Sequence, residues 1–549
     1  MKLFFSAVML LFTFQLSAQM AVPQNWWNLD RGEDSYPGVS SDRAHAYLKG
    51  KANQKVVVAV IDSGIDIEHE DLADIIWTNE DEIPNNGRDD DNNGYIDDVH
   101  GWNFIGGPGG THIDSENLEI TRIYTRLSQK YANRNPDGLD KDERKEYAQM
   151  EELGRKINEE RADAEPQIGQ LKGFMEALEG AAKAMGKPAS EVTAEDIDAF
   201  EAEDEMTGRI LGYARSQMTS DEDRLSDLVD QIQEGIDYYG GQLNFYYNTE
   251  YDARDIVGDD PANLDDRNYG NNSVEGPDAS HGTHVAGIIA AVRGNDLGVD
   301  GVGQNGNIEI MVIRAVPDGD ERDKDVANSI RYAVDNGASI INMSFGKAYS
   351  PYKEAVDEAI RYAAKNDVLL VHAAGNDGKE LTLFNNFPND VRFKKGKPKG
   401  KGSDIWIEVG ASSSNYDAAL PAGFSNYQSE LVDVFAPGAG IYSAVPDDEY
   451  ATFGGTSMAS PMVAGIAALL RSYFPDLTAK QVREIILESA VDVSLDVNLP
   501  GGDEGETVAF RNLSATGALA NAYAAVQMAE QTKGKKKKTA ERDASLVKY

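Results

Sequence analysis

The chain has 549 residues, a formal net charge of −41 and no cysteine. That length leaves room for more than one domain at about 150 residues each, and so negative a charge excludes a nucleic-acid-binding face, which has to be basic. Without cysteine there are no disulfides and no lipidated N-terminal cysteine, so stability outside a cell has to come from packing and from metal. Residues 1–19 read as a secretory signal: Lys2 supplies the positive end, Leu3 to Leu16 is an apolar run too short to span a bilayer, and Ser17-Ala18-Gln19 is a cleavage site. No later run is long and apolar enough to cross a membrane. The expected location is therefore periplasmic or extracellular, with no stable membrane anchor. Residues 20–54 form an N-terminal segment in which Gly38-Val39-Ser40-Ser41 signals a turn and a helix from Ser41 to Leu48.

Val56 to Ile61 is a continuous apolar run of the kind buried on both faces in a parallel sheet, and it ends in Asp62. Ligands gather at the carboxyl ends of such strands. The loop Asn86 to Asp98 alternates oxygen-bearing side chains. Asp89, Asp91 and Asn93, a turn at Gly94, the carbonyl of Tyr95 and a carboxylate at Asp97 or Asp98 can wrap calcium. The loop resembles the opening of an EF-hand, but His100 stands where the closing glutamate would be.

Glycine then thins out and charge dominates over residues 114–242. Apolar residues recur at helical spacing, as in Ile120, Tyr124, Leu127 and Tyr131, or Leu225, Leu228, Ile232 and Ile236. Thr193 with Asp196 marks a helix start. These features predict three to five helices in an antiparallel bundle inserted between two parts of one domain, residues 55–113 and 243–530. The Tyr-, Asn- and Asp-rich stretch from Gly241 to Gly276 reads as ordered loops with a weak signal, at Gly258-Asp259-Asp260, for a second cation site.

His281-Gly282-Thr283-His284 opens an apolar helix. The strands Asn307 to Ala315 and Ser339 to Phe345, joined by a helix, form a βαβ unit, and Val368 to His372 is a further strand. Lysines 394, 395, 397, 399 and 401 make a basic loop, read as solvated. Gly454-Gly455-Thr456-Ser457-Met458-Ala459-Ser460-Pro461 places a serine at a helix N-terminus, where free N–H groups favour a developing negative charge. Helices from Thr478 to Ser489 and from Gly517 to Gln531 follow, then a charged, disordered tail over residues 531–549.

Aspartate, histidine and serine in that order, each inside a long motif, resemble the subtilisin-like serine peptidases (subtilases) over residues 50–113 and 243–530. The resemblance implies an α/β fold: a subtilisin-like parallel sheet with helices on both faces, here with an inserted all-α domain. It implies a secreted endopeptidase with Ser457 as nucleophile, His281 as base and Asp62 orienting it, while His284 is structural. It implies Asn376 as the oxyanion donor. Ser344, Phe345 and Gly346, with Ala373, Ala374 and Gly375, would bind an extended peptide or protein substrate. The family often has a second glycine where Lys347 stands, and it often carries a folded inhibitory propeptide for which residues 20–54 are short. Intact Asp62, His281, Ser457 and Asn376 speak against a catalytically dead binding protein. Nothing in the sequence sets an oligomeric state.

Overall fold

The computed structural model describes residues 22–202, 204–218, 220, 223–394, 397–398 and 402–535. The expected secretory signal and residues 536–549 of the expected tail lie outside them. The core is a nine-stranded sheet. Its strand order from one edge is Val491–Asp492, Ala518–Leu519, Val434–Pro437, Trp406–Ser412, Leu369–Ala373, Ile340–Met343, Val56–Asp62, Ile308–Arg314 and Gly101–Asn103. Every neighbouring pair is parallel except the first. The central strands are apolar throughout because both faces are covered: Val58, Ala59, Val60 and Ile61 are fully buried. This is the subtilisin-like α/β fold.

Two helices position the chemistry. Thr456–Tyr473 is buried over nearly its whole length and packs across the sheet, against the strands Trp406–Ser412, Ile340–Met343 and Leu369–Ala373. Ser280–Ala290 packs beside it and on the Asp62 strand. A Cβ on Gly282 would lie 2.0 Å from the Gly64 carbonyl oxygen and 3.2 Å from Asp62 Cβ. The glycine after His281 is therefore what lets the helix press onto the loop that follows Asp62.

The N-terminal segment is part of this core. Trp26 and Trp27 are buried, Trp26 Nε1 donates to the Gly440 carbonyl at 3.1 Å, and the backbone N–H of Ala522 donates to Val39 at 2.7 Å. The C-terminal helix is shorter than expected, Ala522–Gln531, because residues Ala518–Leu519 extend to join the sheet. Asn521 then caps the helix, its side chain accepting from the N–H of Ala524 at 2.8 Å. In the lysine-rich loop, Phe393–Lys394 pairs antiparallel with Lys397–Pro398.

Within residues 114–242 the described residues form five α-helices: Glu119–Tyr131, Lys141–Ala184, Ala194–Ala199, Glu205–Gln217 and Leu225–Gly241. They do not make one bundle. The second helix has 44 residues, a length of about 66 Å at 1.5 Å per residue. It starts at a capping box, Asp140 with Glu143, and runs until Gly186 turns left-handed at φ +74°. Its first half packs with Ile123, Leu127 and Tyr131 beside the peptidase core. Its second half builds a separate cluster with Leu211, Leu225 and Ile232. The apolar stripe of so long a helix is interrupted, so two small cores form where a bundle was expected.

Candidate active site

Asp62 ends its strand with a side chain only 2% exposed. Its Oδ1 accepts from the Ser63 N–H at 2.9 Å and from His281 Nδ1 at 2.6 Å. That contact fixes the tautomer with the proton on Nδ1 and leaves Nε2 free to accept one. Burial alone would push the His281 pKa down, but the Asp62 carboxylate outweighs it, and the net shift is upward from 6.5. His284, one turn on, is a different histidine. Its Nε2 donates to the carbonyls of Ile441 and Ala451 at 3.0 and 3.2 Å, its ring stacks on Phe453, and burial drops its pKa to about 4. It is neutral and structural.

Ser457 is the second residue of its helix, so its N–H lacks an intrahelical acceptor. Its Oγ donates to the Ser344 carbonyl at 3.1 Å. Pro461 has no N–H, so the carbonyl of Ser457, four residues earlier, loses its helical donor. Ser344 Oγ fills that place at 2.8 Å. The strand expected to bind substrate thus also holds the serine.

Asn376 lies across from Ser457. Its Oδ1 accepts from the Thr456 N–H at 2.8 Å and from Thr456 Oγ1 at 2.9 Å. The backbone donor settles which way the amide is turned. Asn376 Nδ2 is left facing Gly455 (a Cβ there would lie 3.3 Å away) and donates to no acceptor among the described residues. An N–H₂ beside the serine, pinned from behind, is the geometry of an oxyanion donor. Thr456 was missed from the sequence as the residue that sets it.

Ser457, Asn376, Ser344, Phe345, Gly346, Ala373 and Gly375 all line one cleft of about 510 Å³; Ala374 is fully buried behind it. Leu118 and Ile120, from the start of the helical insertion, and Tyr247, just past its expected end at residue 242, line the same cleft.

With this geometry in place, comparison with known proteins is direct. Residues 53–518 match the subtilase family, Peptidase_S8. The chain belongs to that family. It is 38% identical to subtilisin DY of Bacillus licheniformis over 216 residues, which is 39% of this chain and 71% of that one. It is 36% identical to thermitase of Thermoactinomyces vulgaris over 215 residues, 39% of this chain and 68% of the relative. It is 40% identical to a thermophilic serine proteinase of a Bacillus species over 194 residues, 35% of this chain and 43% of the relative. As a subtilase the chain is a serine endopeptidase.

The acidic loop is held together by its own carboxylates. Asp89 accepts from the N–H groups of Asn93 and Gly94 at 3.0 and 2.9 Å. Asp97 accepts from those of Asn86 and Gly87 at 2.9 and 2.8 Å. Both close turns. Asn93 Nδ2 bridges Asp91 and Asp98, at 3.0 Å to each, and the Tyr95 ring is buried against Trp102, Phe104 and Tyr332. The carboxylates that converge are Asp91 and Asp98 with Glu82, their ligand atoms within 4.8 Å of one another. Glu82 was missed; it precedes the loop, and its Oε2 is buried without a hydrogen-bond partner. Burial pushes Asp98 up to about 6, with the Asp91 charge adding to the rise. A buried, all-oxygen group of this kind fits a hard cation.

The second cation signal fails. Asp259 is taken by Arg254 and Lys324, with Arg254 Nη2 at 2.9 Å, and the same arginine pairs with Asp325.

Proposed function

We propose that this chain hydrolyses peptide bonds through Ser457, His281 and Asp62, and that it acts outside the cytoplasm. His281 Nε2 takes the Ser457 proton as Oγ attacks the carbonyl carbon. The imidazolium is held by Asp62, and the oxyanion is met by Asn376 Nδ2 and the Ser457 N–H. His281 returns the proton to the leaving amine. Water, activated by the same histidine, then releases the acyl group from Ser457. The observation that carries this reading is the 2.6 Å contact between Asp62 and His281, in a chain whose Ser457 stands at a helix N-terminus with its Oγ on the Ser344 carbonyl. Residues 1–19, read as a secretory signal, support the location. Among the described residues no helix is long and apolar enough to cross a membrane.

The test is mass spectrometry of the products formed from a peptide library, with Ser457→Ala as control. Free new amino and carboxyl termini are expected. Joined or cyclised peptides would make the chain a transferase on the same scaffold. Asn376→Ala should lower kcat by about 10²–10³ with KM little changed, because the amide meets charge that exists only in the transition state. A matching rise in KM with kcat intact would assign Asn376 to ground-state binding.

We also propose that calcium binds at Glu82, Asp91 and Asp98. A ligand bound only by the native state stabilises it by mass action. Chelation is therefore expected to lower the melting temperature, and Glu82→Gln or Asp91→Ala should abolish that sensitivity. Equal melting curves with calcium and with chelator would leave the three carboxylates as a polar cluster and nothing more.

A further inference from the structure

The proximal part of the insertion is bound to the cleft through its backbone. The N–H of Glu116 donates to the Asp318 carbonyl at 2.8 Å, and the N–H of Asp318 donates to Asp114 at 2.9 Å, so this stretch runs as a parallel neighbour of the segment beside the cleft. The approach is so close that a Cβ on Gly319 would lie 2.3 Å from the Glu116 carbonyl oxygen, with Gly319 at φ +137°. Only glycine fits there. The returning end of the insertion is tied to the same place. Leu118 N–H and Thr121 Oγ1 donate to the Tyr246 carbonyl at 3.2 and 2.7 Å, and the Tyr246 hydroxyl bonds Asp318.

Side chains fasten the contact from the other direction. Lys347, directly after the segment Ser344–Gly346, is 1% exposed. Its Nζ reaches Glu119 Oε2 of the first insertion helix at 2.9 Å, the Glu321 carbonyl at 2.6 Å and Asp323 at 3.0 Å. Arg122 Nη2 shares the same Glu119 Oε2 at 2.7 Å, and its Nη1 donates to the Asp320 carbonyl at 2.9 Å. Tyr349 packs into the small core of the first insertion helix. A charge buried this deeply cannot let go of its partner without stranding it. The segment is therefore a wall and not a lid.

We propose that this wall, Leu118, Ile120 and Tyr247 held by the Lys347–Glu119 pair, restricts the cleft to peptide chains in extended, unfolded form and excludes a cleavable sequence still held in a folded domain. The proposal rests on the reading of Ser457 as the nucleophile. A free peptide can lie along Ser344–Gly346 with one flank against the wall. A sequence within a domain brings neighbouring strands and loops with it, and the wall occupies their space. Lys347 and Glu119 touch no reacting atom; they are positioning residues.

The experiment measures kcat/KM for one cleavable sequence as a free peptide and as a surface loop of a folded carrier protein. Two double variants are compared with the wild type. Leu118→Ala with Tyr247→Ala lowers the wall and leaves its fastening intact. Lys347→Met with Glu119→Gln unfastens it. In both, the ratio of carrier to free-peptide turnover should rise by about tenfold, the scale of a few removed methylene contacts. If the second variant does not fold, as judged by circular dichroism, the first decides alone. A ratio within twofold of the wild type in the Leu118/Tyr247 variant overturns the wall. Turnover of the free peptide that survives Ser457→Ala overturns the underlying reading instead, so the two failures are told apart.

Discussion

Ser457→Ala and His281→Ala are each expected to remove about a million-fold of kcat, and the double variant no more than either alone. That scale is taken from subtilisin, the relative for which the loss is known, and not from the distances here. The non-additivity follows from the proposed chemistry. Without the base the Oγ–H stays a hydroxyl, and without the hydroxyl the base has nothing to deprotonate. Asp62→Asn should cost less, about 10⁴. An asparagine at this position would offer its N–H₂ to Nδ1, reversing the tautomer that the 2.6 Å contact now fixes. The same contact sets the pH dependence. His281 works as the neutral base, and its pKa lies above 6.5, since Asp62 outweighs burial. Activity should be full at high pH and fall as pH drops through that raised value. Asp62→Asn removes the raising charge, so its residual activity should persist to lower pH. Steady-state kcat/KM profiles on a short chromogenic peptide measure both. An acid limb that does not move in Asp62→Asn would mean that another group controls it.

The family was legible in the sequence because its aspartate, histidine and serine each sit inside a long motif. Of the four residues the motifs singled out, the structure pairs Asp62 with His281 and turns the Asn376 amide onto Thr456, next to Ser457 in the chain, and the buried strands were visible as unbroken apolar runs. What stayed hidden depends on contacts between distant stretches. Glu82 lies outside the loop whose alternating oxygens drew attention, and only folding brings it to Asp91 and Asp98. Asp89 and Asp97 also close turns, a role that side chains of this length perform on any nearby N–H. The helical periodicity of the insertion was clear, but periodicity gives a face and not a partner. It could not show that the first helix faces the cleft while the distal helices face only one another. The one trace of that contact was Lys347, standing where the family often has glycine.

Lys347→Met, made in the Ser457→Ala background so that no self-digestion intervenes, is expected to lower the unfolding free energy by about 3–5 kcal/mol. The lysine is buried, and its loss leaves Glu119 facing Arg122 alone and removes one cation from Asp323. Adding Glu119→Gln should recover part of the loss, since the stranded charge is then gone, and a double-mutant cycle isolates the coupling. There is a pH signature as well. Burial would raise the Glu119 pKa, but Lys347 and Arg122 hold it down to about 2, below its ordinary 4.5. A depressed carboxylate contributes stability that is fully present above 4.5 and is lost as pH falls toward 2. In Lys347→Met the native pKa rises toward the unfolded value, so the fall in stability between those limits should flatten. Urea denaturation at several pH values reads both effects. Equal free energies in wild type and variant would show that the lysine is held by solvent and not by the insertion. A full loss without the flattened acid slope would place its partner at Asp323 and not at Glu119. The expected pattern means that a residue beside Ser344–Gly346 stabilises the fold in part through a segment far away in sequence. That coupling is what would keep the cleft wall in place while the distal helices are free to vary.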